Sequence, residues 1–312
     1  MLINKDEIRV AILGGTGFAG HNVRNELESA DMHVGVFSRT SGCDLMDLAA
    51  TWTKLDQFRP NFIVNCAALV GSVNYVTDFA ADVIDVNMRM LLTIYKVAQQ
   101  LRDVIVINPI ANCAFPGVMN EYKEENLWDG PIHPSVLSYG STRRMLDALA
   151  RCYHAQYGVR SCNLIVPNMY GAFDSTNFNK THALNALVIK FVKAHKYGES
   201  QVEVWGTGKP IREWLYVGDF AKIVRRVIET EQMFLEPLGI AQNHGLTVTE
   251  LVEIIRRAVG YRGEVIYNTK YQDGSPKKVM NDARFRRMFP DFQFTPFTQG
   301  LGETINYYSR LL

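Results

Sequence analysis

Ile8-Arg9-Val10-Ala11-Ile12-Leu13 runs straight into Gly14-Gly15-Thr16-Gly17-Phe18-Ala19-Gly20, and this junction decides the fold. The first six residues read as a buried strand. The next seven give G-x-x-G-x-x-G, and Phe18–Ala30 reads as a helix. Glycines at those spacings let the backbone turn tightly and approach a pyrophosphate, whose charge then meets the N-terminus of the helix. Between a strand and a helix the pattern signals a dinucleotide turn, with Gly14, Thr16, Gly17, Phe18 and Gly20 as its contacts.

Downstream, short β-branched runs alternate with longer helical patterns. His33–Ser38, Phe62–Cys66, Val104–Asn108 and Asn163–Val166 read as strands, and Ala80–Arg102 as a long helix free of Gly and Pro. Near-continuous apolar strands separated by helices predict a parallel sheet covered on both faces, hence a doubly wound α/β (Rossmann) architecture. After Gly171 the pattern loosens into a helix over Thr181–Tyr197, the run Val202-Glu203-Val204-Trp205 followed by a turn at Gly206-Thr207-Gly208-Lys209-Pro210, a helix over Asp219–Glu231 and a T-x-x-E capping box at Thr247 and Glu250. This predicts a smaller substrate domain interleaved with the first: 1–172 and 215–243 for the dinucleotide domain, 173–214 and 244–312 for the second.

Composition narrows the classes. The 312 residues carry 33 Lys plus Arg against 32 Asp plus Glu, a balance that argues against bulk nucleic-acid binding. The start, MLINKDEIRVAIL, does not read as a leader, and no stretch reaches the apolar length of a membrane span. Five scattered cysteines suggest neither a metal site nor a disulfide framework. A cytoplasmic protein without membrane or nucleic-acid partners is the expectation.

The second strand ends at Phe37-Ser38-Arg39-Thr40. An acid at that corner would bind both ribose hydroxyls of NAD, whereas an Arg accepts a 2′-phosphate. Arg39 with no acid beside it predicts NADP(H). Asp44 reads either as a partner of the adenine amino group or as the cap of a helix beginning near Leu45.

The glycine turn, Asn65-Cys66-Ala67-Ala68 and Tyr139 together resemble the extended short-chain dehydrogenase/reductases. Val204-Trp205-Gly206-Thr207-Gly208-Lys209-Pro210-Ile211-Arg212-Glu213-Trp214-Leu215-Tyr216-Val217-Gly218-Asp219 is similar to a segment of the GDP-L-fucose synthase family. So are Asn112-Cys113-Ala114-Phe115-Pro116, Pro167-Asn168-Met169-Tyr170-Gly171 and Asp273-Gly274-Ser275-Pro276-Lys277-Lys278. These matches run in order over nearly the whole chain.

The resemblance implies a GDP-4-keto-6-deoxy-hexose or related heptose as substrate, inverted beside its C4 ketone and then reduced with NADPH. It implies Cys113 and His182 as the acid–base pair, and Tyr139 as the proton donor for reduction. It places Ala67 at the cofactor, Asn168, His182, Trp205, Arg212 and Lys278 at the nucleotide sugar, and a homodimer formed by a four-helix bundle from Ala80–Arg102 and Tyr139–Gln156. Two positions depart from the family. Arg143 stands where it has Lys, and Ala111 where it has Ser. Arg143 keeps the charge in a different geometry; Ala111 donates nothing, leaving Asn112, Ser141 or Thr142 as replacements. Epimerisation or C4 oxidation without net reduction, and nucleotide-sugar binding without turnover, are the competing readings.

Overall fold

The structure, a computed structural model, describes residues 8–231 and 234–312; the expectations for residues 1–7 lie outside them. In chain order the first half contains β1 (Arg9–Leu13), α1 (Phe18–Ser29), β2 (His33–Phe37), α2 (Leu48–Phe58), β3 (Phe62–Asn65), α3 (Val73–Asp78), α4 (Ala80–Leu101), β4 (Ile105–Ala111), α5 (Leu137–Tyr157) and β5 (Arg160–Val166). Then follow β6 (Asn168–Tyr170), α6 (Ala183–Tyr197), β7 (Gln201–Trp205), β8 (Ile211–Arg212), β9 (Trp214–Tyr216), α7 (Val217–Glu229) and β10 (Phe234–Gly239). The chain closes with β11 (Leu246–Thr247), α8 (Val248–Val259), β12 (Glu264–Asn268), β13 (Lys277–Lys278), α9 (Ala283–Met288) and α10 (Phe297–Leu311).

Six strands form one parallel sheet in the order β10-β5-β4-β3-β1-β2. Successive side chains of a strand point to opposite faces. Val10 and Ile12 accordingly enter one core with Phe220 and Val224 of α7, while Ala11 and Leu13 enter the other with Leu91 and Ile94 of α4. The doubly wound architecture read from the sequence is the one observed. Strand order reverses between β2 and β3, on either side of β1, and such switch points open a crevice at the C-terminal strand ends.

A third core joins α6, α8 and α10 around Phe191, Leu251 and Tyr308. One segment departs from the expected division. Phe285 and Phe289 of α9 pack into the sheet core with α1 and α7, joined by Phe292 and Phe294, so the chain returns to the sheet within 244–312. The packing of four phenyl rings, two of them fully buried, draws it back. The helix expected near Leu45 starts at Leu48, capped by Asp47, whose side chain accepts from the Ala50 N–H. Asp44 instead accepts from the Met46 N–H in the preceding turn.

Polar side chains cross the middle of the sheet. The Asn108 amide nitrogen donates to Asn163 Oδ1 at 3.0 Å and to Tyr95 Oη at 3.1 Å, and Asn65 donates to Asn108 Oδ1 at 3.1 Å. Asn65 Oδ1 in turn accepts from the Ala67 N–H at 3.3 Å, fixing the turn after β3. All three asparagines are buried. Replacing Asn108 by Ala strands partners on three sides, and each unsatisfied buried group costs about 1–3 kcal/mol. Urea unfolding of Asn108→Ala should therefore show a loss of at least about 2 kcal/mol. A loss below about 0.5 kcal/mol would remove the ladder from the account of the fold.

Candidate active site

The glycine turn is built by close approach. Gly14 has φ +71°, and a Cβ there would lie 2.8 Å from the Ala67 backbone. A Cβ on Gly20 would lie 2.4 Å from the Gly14 carbonyl oxygen. The absent side chains let α1 begin against the ends of β1 and β3. Its N-cap, Gly17, has no capping side chain, so the first amides of α1 keep their partial positive charge for an anion.

Two cavities meet at this turn. One, of about 370 Å³, is lined by Gly14, Arg39, Thr40, Asp44 and Ala67 among others. Ser38 and Ser41 form a reciprocal cap around the short turn that carries Arg39. Arg39 has no ion-pair partner among the described residues.

The second, of about 480 Å³, brings together Phe18, Asn112, Cys113, Tyr139, Arg143, Asn168 and His182. These come from elements far apart in the chain. Asn112 and Cys113 lie on the 3₁₀ turn that ends β4, Tyr139 and Arg143 in the first turns of α5, and His182 immediately before α6. The three sequence candidates for the missing hydroxyl separate here. Thr142 donates its hydroxyl to the Tyr139 carbonyl at 2.8 Å, and neither Thr142 nor Ser141 lines the cleft, whereas Asn112 does. The Asn112 amide nitrogen is buried without a hydrogen-bond partner among the described residues.

In the cleft, burial and nearby cations act in opposite directions on the acids. Burial pushes the Tyr139 phenol up, and the Arg143 charge pulls it partly back. Burial likewise pushes the Cys113 thiol up against the opposing charges of Lys278 and Arg143. Arg143 is 2% exposed. Its guanidinium stands 5.0 Å from the Tyr139 ring centroid, Nη2 donates to Asn87 Oδ1 at 3.1 Å, and Nε has no partner. Asn87 also pairs with both backbone groups of Leu69, so it holds Arg143 and the turn after β3 together. A buried guanidinium with an unpaired donor is stable only if the site supplies an acceptor. A dinucleotide ribose against the glycine turn fits that requirement.

The chain matches the NAD dependent epimerase/dehydratase family over residues 10–237. It belongs to that family. It is 28% identical over 307 residues to the GDP-L-fucose synthase of Dictyostelium discoideum, covering 96% of this chain and 94% of the relative. A GDP-L-fucose synthetase from Naegleria fowleri bound to NADP superposes with a TM-score of 0.87 at 26% identity, over 98% of this chain and 95% of that one. A GDP-6-OMe-4-keto-L-xylo-heptose reductase from C. jejuni shares the fold at a TM-score of 0.90 and 20% identity, each chain fully covered.

In this family member a third hollow, of about 310 Å³, adjoins the cleft and shares Asn168 and His182 with it. Trp205 stacks on Tyr271 with centroids 4.3 Å apart, and the Lys190 ammonium lies 4.7 Å from the Trp205 ring. Flat rings beside a cation suit a base and a phosphate. Sequence reading found Trp205 but passed over Lys190, Tyr271, Asp174 in the cleft and Asn87 buried behind Arg143. Lys190 lies two helical turns beyond His182, a spacing that carries a signal only once His182 is placed.

Arg212 and Lys278, expected at the nucleotide sugar, are not among the residues lining this hollow. Arg212 donates to the carbonyls of Ile211 and Asp273. Lys278 is buried with its ammonium 3.2 Å from the Asn112 carbonyl oxygen, and burial lowers its pKa to about 8. It lies behind the Cys113 turn. Nor does Arg212 pair with Glu213, whose fully buried carboxylate accepts from the Gln242 and Met280 N–H groups.

Burial raises Glu213 to about 7, against those hydrogen bonds. The folded chain thus holds this proton more tightly than the unfolded chain. The contribution of Glu213 to stability is greatest below the ordinary carboxylate range and is lost as pH rises toward 7. The stability of the natural protein relative to Glu213→Gln should therefore fall between pH 5 and pH 8 in urea unfolding. A difference that is flat or grows with pH would contradict this.

Proposed function

We propose that this chain is an NADP-dependent epimerase/reductase of a GDP-4-keto-6-deoxy-hexose or a related heptose. The observation that carries the reading is the convergence of Cys113, His182 and Tyr139 on one cleft, between a dinucleotide turn and an aromatic, basic hollow. The GDP-L-fucose synthase relatives support the substrate class.

A C4 ketone acidifies the hydrogens at its neighbouring carbons, and inversion there needs one group to remove a proton and another to return it. Cys113 and His182 take those roles; thiol and imidazole both exchange protons near neutral pH. NADPH supplies hydride to C4 when bound. Tyr139 delivers the proton to the oxygen, and the Arg143 charge beside its ring eases that transfer. Arg143 and the α1 turn hold the dinucleotide; Asn168, Trp205 and Lys190 face the nucleotide sugar. Ala111 contributes no hydrogen bond, and a missing donor of this kind costs about 2.7–4 kcal/mol in the transition state. Asn112 is the neighbouring group with a free donor. The reductive step is accordingly the slow one.

A homodimer belongs to the same proposal. Ile84 and Leu92 on α4 and Met145 on α5 are exposed apolar side chains on the outer face of this helix pair, which suits a four-helix contact. A cytoplasmic location, where nucleotide sugars and NADPH are found, goes with the reading. No helix among the described residues is long and apolar enough to cross a membrane.

Two outcomes are expected. Arg39→Ala should weaken NADPH binding at least about 10-fold with little effect on NADH, as befits the loss of a charge-assisted phosphate contact; equal losses for both would refute the assignment of Arg39. With GDP-4-keto-6-deoxy-mannose in heavy water, the natural protein should take up deuterium at C3, C5 or both and oxidise NADPH in a single turnover. Cys113→Ser should suppress exchange, and Tyr139→Phe should suppress oxidation while leaving exchange. Exchange without any oxidation would establish epimerisation alone, and the absence of both signals would sink the reading.

A further inference from the structure

Asp174 sits on the loop before α6 and is 7% exposed. Its Oδ2 accepts three hydrogen bonds: from the His182 backbone N–H at 2.8 Å, from the His182 ring at Nδ1 at 3.1 Å, and from the Asn185 amide at 2.8 Å. Oδ1 accepts from the Ser175 N–H. Asn185, fully buried, holds its own orientation by accepting from the Gly171 N–H. Tyr308 adds a hydrogen bond to the Asp174 carbonyl. The carboxylate is thus fixed from several directions while it grips one edge of the imidazole. Phe18, from the glycine turn, packs on the ring with centroids 5.0 Å apart.

We infer that Asp174 is the positioning residue of His182: it keeps a proton on Nδ1 in both charge states of the ring and leaves Nε2 as the atom that exchanges protons in the cleft. This rests on the reaction proposed for the cleft. Which ring nitrogen carries the proton is set by the hydrogen bond its partner accepts. An ionised carboxylate accepts only, so Nδ1 must donate. Burial opposes the imidazolium, but the Asp174 charge and hydrogen bond outweigh it and raise the His182 pKa; burial opposes the carboxylate too, and His182 and Asn185 nonetheless hold Asp174 low. The other charged or titratable groups near the ring are Lys180 on its own loop, Cys66, Cys113, Tyr139 and Arg143 in the cleft, Lys190 and Tyr271 in the adjoining hollow, and Tyr308 against Asp174. None of them is a carboxylate, so acceptance at Nδ1 falls to Asp174.

The test is ¹⁵N NMR of histidine-labelled protein without substrate, with His182→Asn assigning the signal. The natural protein should show the Nδ1–H tautomer above its titration. In Asp174→Asn the midpoint should fall, with Asp174→Glu restoring part of the shift. Deuterium exchange into the 4-keto sugar should drop at least about 10-fold in Asp174→Asn, with nucleotide binding retained. A merely structural Asp174 would move neither tautomer nor midpoint. An Nε2–H tautomer in the natural protein overturns the inference without recourse to any variant, as does an unchanged midpoint in folded Asp174→Asn. The Nδ1–H tautomer and shifted midpoint, in a protein that exchanges no proton with any 4-keto sugar, support the Asp174–His182 pair and count against the proposed reaction alone.

Discussion

Gly20 has no room for a side chain, because a Cβ there would meet the Gly14 carbonyl oxygen at 2.4 Å. That contact sets the start of α1 against the ends of β1 and β3. Everything chemical in the molecule is arranged around it. The helix amides face the crevice at the strand switch point, Phe18 leaves the turn to pack on His182, and Ala67 closes on Gly14 from the other side. A parallel sheet delivers the ends of β1, β3 and β4 to the same edge, so residues as distant as Gly14, Asn65 and Cys113 become neighbours without any one loop having to carry them all.

Holding those strand ends is the task of buried polar groups. The asparagine ladder runs across β3, β4 and β5 and ends on the Ala67 N–H. Asn87 then ties the next stretch, at Leu69, to Arg143. On the far side Glu213 binds two backbone amides from separate segments, and its carbonyl accepts from Asn168. Such groups are costly if left unpaired and directional when paired. They fix loops that apolar packing alone would leave free to slide.

Most of the sheet was legible in the sequence because buried parallel strands are written as apolar runs and the glycine turn as a spacing. Arg39, Asn112, Cys113, Tyr139, Arg143, Asn168, His182 and Trp205 all line the cavities. What escaped has a physical reason in each case. Asp174 and Asn87 act through other side chains, and a residue that touches only protein leaves no motif of its own. Lys190 looks like any solvated helix cation until Trp205 is brought beside it. Lys278 reads as a phosphate ligand by position but spends its ammonium on the Asn112 carbonyl, a partner 166 residues away in sequence. The cap at Asp47 was missed because Asp44 offers the same chemistry three residues earlier.

The two departures from the family pattern look alike in the sequence and differ in the fold. Ala111 removes a donor and leaves nothing in its place except the neighbouring amide of Asn112. Arg143 keeps a full charge in a site that is 2% exposed, with no carboxylate partner among the described residues. Burying a cation in that way is expensive unless the surroundings supply acceptors. Asn87 supplies one, the Tyr139 ring face offers a second weak attraction, and Nε remains open. A lysine would carry the same charge on a compact ammonium, but it would not present a flat surface to the Tyr139 ring. The substitution therefore does more than conserve charge. It fastens the cation to α4 through Asn87 and sets it against the Tyr139 ring at once. That arrangement offsets part of what burial costs the Tyr139 phenol on ionising, which suits the proton transfer proposed for the cleft.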